Sequence, residues 1–217
     1  MAKYCPHSIA PAARAATRRD EDGLFGRMFP DLAAAPFDQG RDLALAEPDG
    51  PMALDPHDEP ACDNARIPAG WAFFGQILAH DMTRDRAPLQ RQELLDGLRN
   101  YRRPRLDLEC VYGDGPLGQP YLYDNDDGDK LLVAPNDRGE LNDLPRNHQG
   151  IAIVGDQRND TYLFIAHLHV ALLKLHNRLV DDVRAAGVPP ARVFETAQRL
   201  TRWHYQWIVA HEYVPLH

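Results

Sequence analysis

The 217-residue chain reads as a mainly α protein with little sheet and an irregular N-terminal arm. Three observations predict this. Apolar residues return at three- and four-residue spacing over 71–82, 161–185 and 191–213, the repeat of a helix with one face turned inward. Gly and Pro punctuate 107–143 too often for long helices. Residues 1–70 mix Pro, Ala, Asp and Gly with no period at all. A chain of this length can bury one sizeable core, so a single domain over 71–217 is the expectation, preceded by the arm 1–70.

Each element follows from local signals. In the arm, Pro48-Asp49-Gly50-Pro51 marks a turn. The first helix spans 71–82 and ends before Asp85 to Pro88; Phe73, Ile77 and the ring of Trp71 lie towards its packed flank. Between Asp107 and Asp143, Gly113, Gly115, Pro116, Gly118, Pro120, Gly128 and Pro135 favour loops or short strands over helices. From Thr161 to Ala185 the inward stripe is Leu163, Ala166, Val170, Leu173, Asn177 and Val180, with Lys174, Arg178 and Asp181 nearer water. Gly187 and Pro189-Pro190 stop that helix, and Ala191 to Tyr213 starts another whose core positions are Val193, Ala197, Leu200, Trp207, Ile208 and His211.

Charge and composition narrow the function classes. A formal net charge of −8 and a pI near 5.6 argue against a nucleic-acid or acidic-membrane partner. The one basic concentration, Arg91 to Arg105 with Arg99, Arg102, Arg103 and Arg105, reads as a solvated helix face or loop. Cys5, Cys62 and Cys110 are odd in number and widely spaced, which suggests neither a disulfide framework nor a cysteine zinc site. Pro11, Arg14, Arg18 and Arg19 interrupt any signal-type apolar stretch, no run is long enough to span a bilayer, and compartment is left open.

Two segments carry the functional argument: Trp71-Ala72-Phe73-Phe74-Gly75-Gln76-Ile77-Leu78-Ala79-His80-Asp81 and Gly155-Asp156-Gln157-Arg158-Asn159-Asp160. In a helix over 71–83, Gln76 and His80 share a face four residues apart. Together with Asn100 to Pro116 (NYRRPRLDLECVYGDGP), Tyr121 to Val133, Leu144 to Asp160, His176-Asn177-Arg178 and Arg202 to Pro215 (RWHYQWIVAHEYVP), these segments resemble, block by block, the animal-type haem peroxidases of the peroxidase–cyclooxygenase superfamily, in their bacterial branch. Most of the chain after residue 70 takes part. The resemblance implies the helical haem-peroxidase fold, present in part, and a haem b cofactor. It also implies that hydrogen peroxide or an organic peroxide is reduced while a small-molecule reductant or lipid is oxidised.

The chemistry such an enzyme needs suits these residues. Splitting an O–O bond requires a group that takes a proton from one oxygen and returns it to the other, and a neutral imidazole does both near pH 7. His80 is that candidate. A fixed guanidinium stabilises charge on the departing oxygen, which nominates Arg158; Gln76 would hold water or peroxide. The bland alternative for Arg158 is an ion pair with Asp156 or Asp160.

The resemblance also implies a calcium site at Asp81, Asp107 and Glu109, although Arg103 stands where relatives place a threonine ligand. Asp124 to Asp129 reads as an exposed turn, not an EF-hand loop. Positions that esterify the porphyrin in mammalian members are Ala79 and Thr161 here, so haem would be held non-covalently. None of His167, His169, His176, His204, His211 and His217 matches the family's proximal ligand motif, and the chain is expected to be the N-terminal portion of a longer peroxidase, carrying the distal half of the pocket.

Other readings weigh against these. His167, His169, His176 and His204 are assigned to structure, Asn177 and Arg178 to helix packing and charge pairing, Trp203, Tyr205 and Trp207 to the core, and Cys110 to a small buried hydrophobe. His80-Asp81 is also the central dipeptide of HD-type metal-dependent phosphohydrolases, with His57 and Asp156 or Asp181 as the further ligands. A third reading is a non-catalytic module that keeps the peroxidase scaffold.

Overall fold

The computed structural model describes residues 29, 31–33, 38–47, 50–52, 64, 66–84 and 99–216. The chain divides into one unit around residues 26–68 and another holding 69–217. His57, Cys5, Cys62, Pro48 and Asp49, the segment 85–88, the start of the basic run and the N-terminal twenty residues lie outside the described residues.

In the first unit Gln39–Ala46 forms a two-turn helix, α1, opened by the Asp38 carboxylate, which accepts the Arg41 N–H at 3.2 Å. The stretch read as irregular therefore contains a helix. An aspartate directly ahead of an octet rich in Ala and Leu was the available signal.

The second unit is built on three helices: α2 (Gly70–Met82), α5 (Leu163–Ala185) and α6 (Val193–Ile208). Between α2 and α5 run two single-turn helices, α3 (Glu109–Tyr112) and α4 (Gly115–Gly118), and two short antiparallel strands, β1 (Ala134–Pro135) and β2 (Leu141–Asp143), with Ala134 opposite Asp143 and Pro135 opposite Leu141. The strands agree with the Gly- and Pro-rich reading of 107–143; the helical turns do not. At α3 a buried aspartate, Asp81, organises the backbone at 108–110 from outside the segment, which no local pattern announces, whereas α4 closes on itself with the Gln119 N–H on the Gly115 carbonyl. A 3-10 turn, Gln157–Asp160, leads into α5, and α6 runs on into a π-helical turn at Val209–Tyr213.

Helix α5 ends as its sequence requires. Gly187, at φ +77°, takes the left-handed conformation that costs a Cβ-bearing residue energy; its N–H reaches the Arg184 carbonyl at 3.0 Å and the Val188 N–H reaches the Val183 carbonyl at 3.1 Å. The turn satisfies carbonyls that the helix end would leave bare, and Pro189 then prevents continuation. Val180, Val183, Val193 and Ala197 form a small core at this α5–α6 junction.

The main core joins Ile77 of α2, Leu108 to Tyr112, Leu122, Tyr123, Leu131, Leu144, and Ile165, Ala166, Val170 and Leu173 of α5, with Tyr205 and Val209 closing it. Most of the expected α5 stripe is inside. Leu163 is not, because it is the first helical residue and overhangs the turn before it. On α6 the buried line is Val193, Ala197, Thr201, Tyr205 and Val209, each four residues on from the last. Trp203 and Trp207 lie two residues off that line, which turns them to solvent, contrary to their expected place in the core; Trp207 stacks on His211, also exposed, at 5.0 Å.

Candidate active site

The last turn of α2 brings His80 and Asp81 to the buried side, and the 3-10 turn Gln157–Asp160 brings Arg158 and Asn159 beside them. Gly155 makes the approach feasible. A Cβ there would stand 2.7 Å from the Cys110 carbonyl oxygen, so only glycine lets the backbone ahead of Asp156 pass this close to the 108–113 loop.

One set of contacts is charged. Asp156 caps its own turn, its Oδ1 accepting the Arg158 N–H at 3.1 Å. The same carboxylate accepts Arg158 Nε at 3.0 Å, Arg158 Nη2 at 2.9 Å and Arg102 Nη2 at 2.8 Å. Arg102 Nη1 goes on to Glu109 at 2.9 Å. Burial alone would raise the Asp156 pKa, but the hydrogen bonds from Arg158 and Arg102 outweigh it and bring it down to about 2. Arg102, read from the sequence as part of a solvated basic face, is 2 % exposed. Nothing in a run of arginines says which one will find a buried carboxylate 54 residues away.

Arg158 Nη2 also donates to the carbonyls of His80, at 3.1 Å, and Thr83, so the guanidinium caps the end of α2. Its side chain stays 38 % exposed, and Nη1 makes no hydrogen bond among the described residues. The ion pair with Asp156 and the approach to His80 thus coexist.

The second set is neutral. His80 is 8 % exposed, and burial lowers its pKa despite the opposing hydrogen bond to Asn159. Its Nδ1 lies 2.8 Å from Asn159 Oδ1, and Asn159 Nδ2 lies 2.9 Å from Nδ1 of His169. Asn159 and His169 are fully buried, and desolvation lowers the His169 pKa to about 4. Gln76 is half-buried on the same helix and makes no hydrogen bond among the described residues.

The acids nominated for calcium do not gather. Asp81 accepts the Leu108 and Cys110 N–H groups at 3.0 and 3.4 Å, pinning a loop in which Leu106 and Leu108 both have positive φ; Asp107 Oδ1 accepts the Glu109 N–H, and Glu109 pairs with Arg102. Among the described residues no cluster of three or more His, Cys, Asp or Glu forms a metal cage. The donor set does not fit calcium, since a guanidinium already neutralises one of its three carboxylates. The acids proposed for an HD-type dinuclear site fare no better: Asp156 is held by two arginines and Asp181 by Lys130 at 2.7 Å.

An apolar cavity of about 380 Å³ opens between α2 and the start of α5, lined by Gly70, Phe73, Leu163, Phe164, His167 and Leu168. None of His80, Arg158 and Gln76 lines it. Phe73 is seven residues before His80, roughly 10 Å along the helix.

Sequence reasoning did not single out Asn159, though it lies inside the quoted motif; it assigned His169 to structure, which its burial fits, without its partner. Their contacts span 79 and 10 residues, and neither distance is a helical repeat. It also left Asn177 to helix packing, whereas the amide brackets Leu131, accepting its N–H and donating to its carbonyl at 2.8 Å each.

The comparisons with known proteins agree with this architecture. The sequence model of the animal haem peroxidase family matches residues 90–217. No curated protein matches by sequence. The crystal structure of Oryza sativa fatty acid alpha-dioxygenase is similar with a TM-score of 0.54 at 17 % identity, over 70 % of this chain and 29 % of that one. At that identity the likeness speaks for the fold, and this chain spans less than a third of the dioxygenase's length. With more than half its residues under the family model, the chain belongs to the animal haem peroxidase family.

Proposed function

We propose that this member of the animal haem peroxidase family handles peroxide with His80, Arg158 and Gln76, reducing hydrogen peroxide or an organic peroxide at the expense of a second, small organic or lipid substrate. The observation that carries the reading is the condition of His80: nearly buried, neutral, with Nδ1 engaged by Asn159 and Nε2 without a hydrogen bond among the described residues, next to a guanidinium whose Nη1 likewise makes none among them. Two open polar positions suit a macrocycle's distal face, so His80 and Arg158 fit haem, whereas Asp81, Asp107 and Glu109 do not fit calcium. Haem, when bound, supplies the electrons that break the O–O bond.

The chain's own residues do the rest. Nε2 of His80 takes the proton from the near oxygen and returns it to the departing one, which leaves as water or an alcohol. Arg158 Nη1 lies on the side of the guanidinium not tied to Asp156 and stabilises charge on the departing oxygen while remaining protonated throughout. Gln76 orients water or peroxide by hydrogen bonding. Ala79 and Thr161 are both exposed and lack a carboxylate, so the cofactor is held without an ester bond. Of the histidines after Arg158, His169 is bonded to Asn159, and His176 engages both Tyr112 and the Asp129 carbonyl; no proximal ligand is assigned, and we expect the 217-residue chain alone to bind haem weakly or not at all and to lack robust turnover.

The test is peroxide-dependent oxidation of a simple phenol by the haem-supplemented chain, wild type against His80→Gln. A fall on the order of 10²–10⁴ in kcat/KM is expected with the helical content unchanged. Equal rates in the two proteins would overturn the reading and favour a non-catalytic module.

A further inference from the structure

We propose that Asn159, itself held by His169, fixes the tautomer of His80, keeping the proton on Nδ1 and leaving Nε2 bare; this rests on the reading that Nε2 is the group that receives the peroxide proton. A neutral imidazole carries one proton, and it acts as a base only through the other nitrogen. In water both tautomers are present. A peroxidase base with the proton on Nε2 would be idle.

The amide of Asn159 can choose between them because its two ends differ. Oδ1 only accepts, and it faces His80 Nδ1 at 2.8 Å, so Nδ1 must bring the hydrogen. Nδ2 only donates, and it faces His169 Nδ1 at 2.9 Å, so that nitrogen must be bare and the His169 proton sits on Nε2. The Cys110 thiol lies against the same amide and is kept protonated by burial. Asn159 has no exposed surface through which a water could replace either contact.

A reversed amide would donate to His80 Nδ1 and force the His80 proton onto Nε2. Reversal would at the same time require His169 to carry its hydrogen at Nδ1, so the two rings change tautomer together and the orientation of the Asn159 amide decides for both. Both residues are therefore positioning residues. Neither touches the reacting oxygen.

The measurement is a long-range ¹H–¹⁵N correlation of the imidazole rings in the uniformly ¹⁵N-labelled 217-residue chain near neutral pH, with His80→Gln and His169→Gln to assign the signals. Wild type should show His80 protonated at Nδ1 and His169 at Nε2. In Asn159→Asp the carboxylate accepts from both rings, so His80 keeps its Nδ1 proton while the His169 proton moves to Nδ1. In Asn159→Leu the Nε2–H form of His80, favoured by free imidazole, should become the major one. A proton on Nε2 of His80 in wild type, or a His169 ring unmoved by Asn159→Asp, would overturn the inference, and both can be read even if Asn159→Leu does not fold. Tautomers as expected together with full turnover by His80→Gln would leave this inference standing and remove the functional reading instead.

Discussion

Asp156 and Asn159 stand three residues apart on one turn and hold the same end of α2 by different physics. Asp156 works by charge: two guanidiniums converge on it, and Arg158 carries the grip across to the His80 and Thr83 carbonyls. Asn159 works by the direction of neutral hydrogen bonds between two buried imidazoles. The charged set fixes where the helix end lies; the neutral set fixes which nitrogen of His80 is open. A site that needs both position and protonation state keeps the two jobs on separate residues, because a carboxylate against His80 would raise the imidazole's pKa and a neutral amide could not hold two arginines.

Removing the charged half should cost most. In Asp156→Ala, Arg102 remains buried with Glu109 as its one remaining carboxylate among the described residues, and Arg158 loses the carboxylate that orients it. Breaking a buried pair from one side costs about 3–5 kcal/mol, because the remaining charge stays desolvated. Urea denaturation at neutral pH should show a loss of that size against wild type. A loss below about 1 kcal/mol would mean that Glu109 alone satisfies Arg102 and that the network is not what holds the turn in place.

How much of this could be seen beforehand depends on how far each contact reaches along the chain. The C-terminal end of α5 was legible because Gly187, Pro189 and the turn they impose lie within a few residues of the helix they terminate. That His80 and Gln76 share one helix was legible because their four-residue spacing lies inside an apolar repeat of helical period. Arg102 was not, since its neighbours Arg103 and Arg105 look the same in sequence and only the fold brings Glu109 and Asp156 to one of them. Trp203 and Trp207 were misjudged for a different reason. Large aromatic rings are usually core residues, but on α6 the positions at four-residue steps from Val193 to Val209 had already claimed the inner face. Asn159 gave no sign at all, because its role exists only once α2 and α5 have met.

Acid should separate the two halves in order. His169 has a folded pKa of about 4 against an ordinary value of 6.5, so the unfolded chain binds more protons between them. The associated stability is complete above pH 6.5 and falls as pH drops through 4, by up to about 3 kcal/mol. Asp156, with a folded pKa of about 2 against 3.8, contributes stability that is complete above pH 3.8 and is lost only as pH falls towards 2, by roughly 2 kcal/mol. Thermal unfolding of wild type should therefore weaken in two stages. His169→Gln should shrink the upper stage, to which the buried His80 and His176 also contribute, and leave the lower one, and a curve unchanged by that substitution would mean that His169 does not titrate there.

The smallest effect should come from a pair outside both networks. Arg178 and Asp182 are four apart on α5, with Nε 3.0 Å from Oδ1, yet their side chains are 76 % and 51 % exposed. Water screens that attraction, and holding two long side chains in one geometry offsets much of the remainder, so Arg178→Ala should cost only about 0.3–0.5 kcal/mol and the difference should shrink in high salt. Measured beside Asp156→Ala, it tests whether the cost of losing a carboxylate–guanidinium contact in this fold follows burial or merely geometry: the distances in the two cases differ by about 0.2 Å, while one arginine is in water and the other is not. If the exposed pair proved as costly as the buried one, charge near α2 would have no special standing and the division of labour between Asp156 and Asn159 would lose its basis.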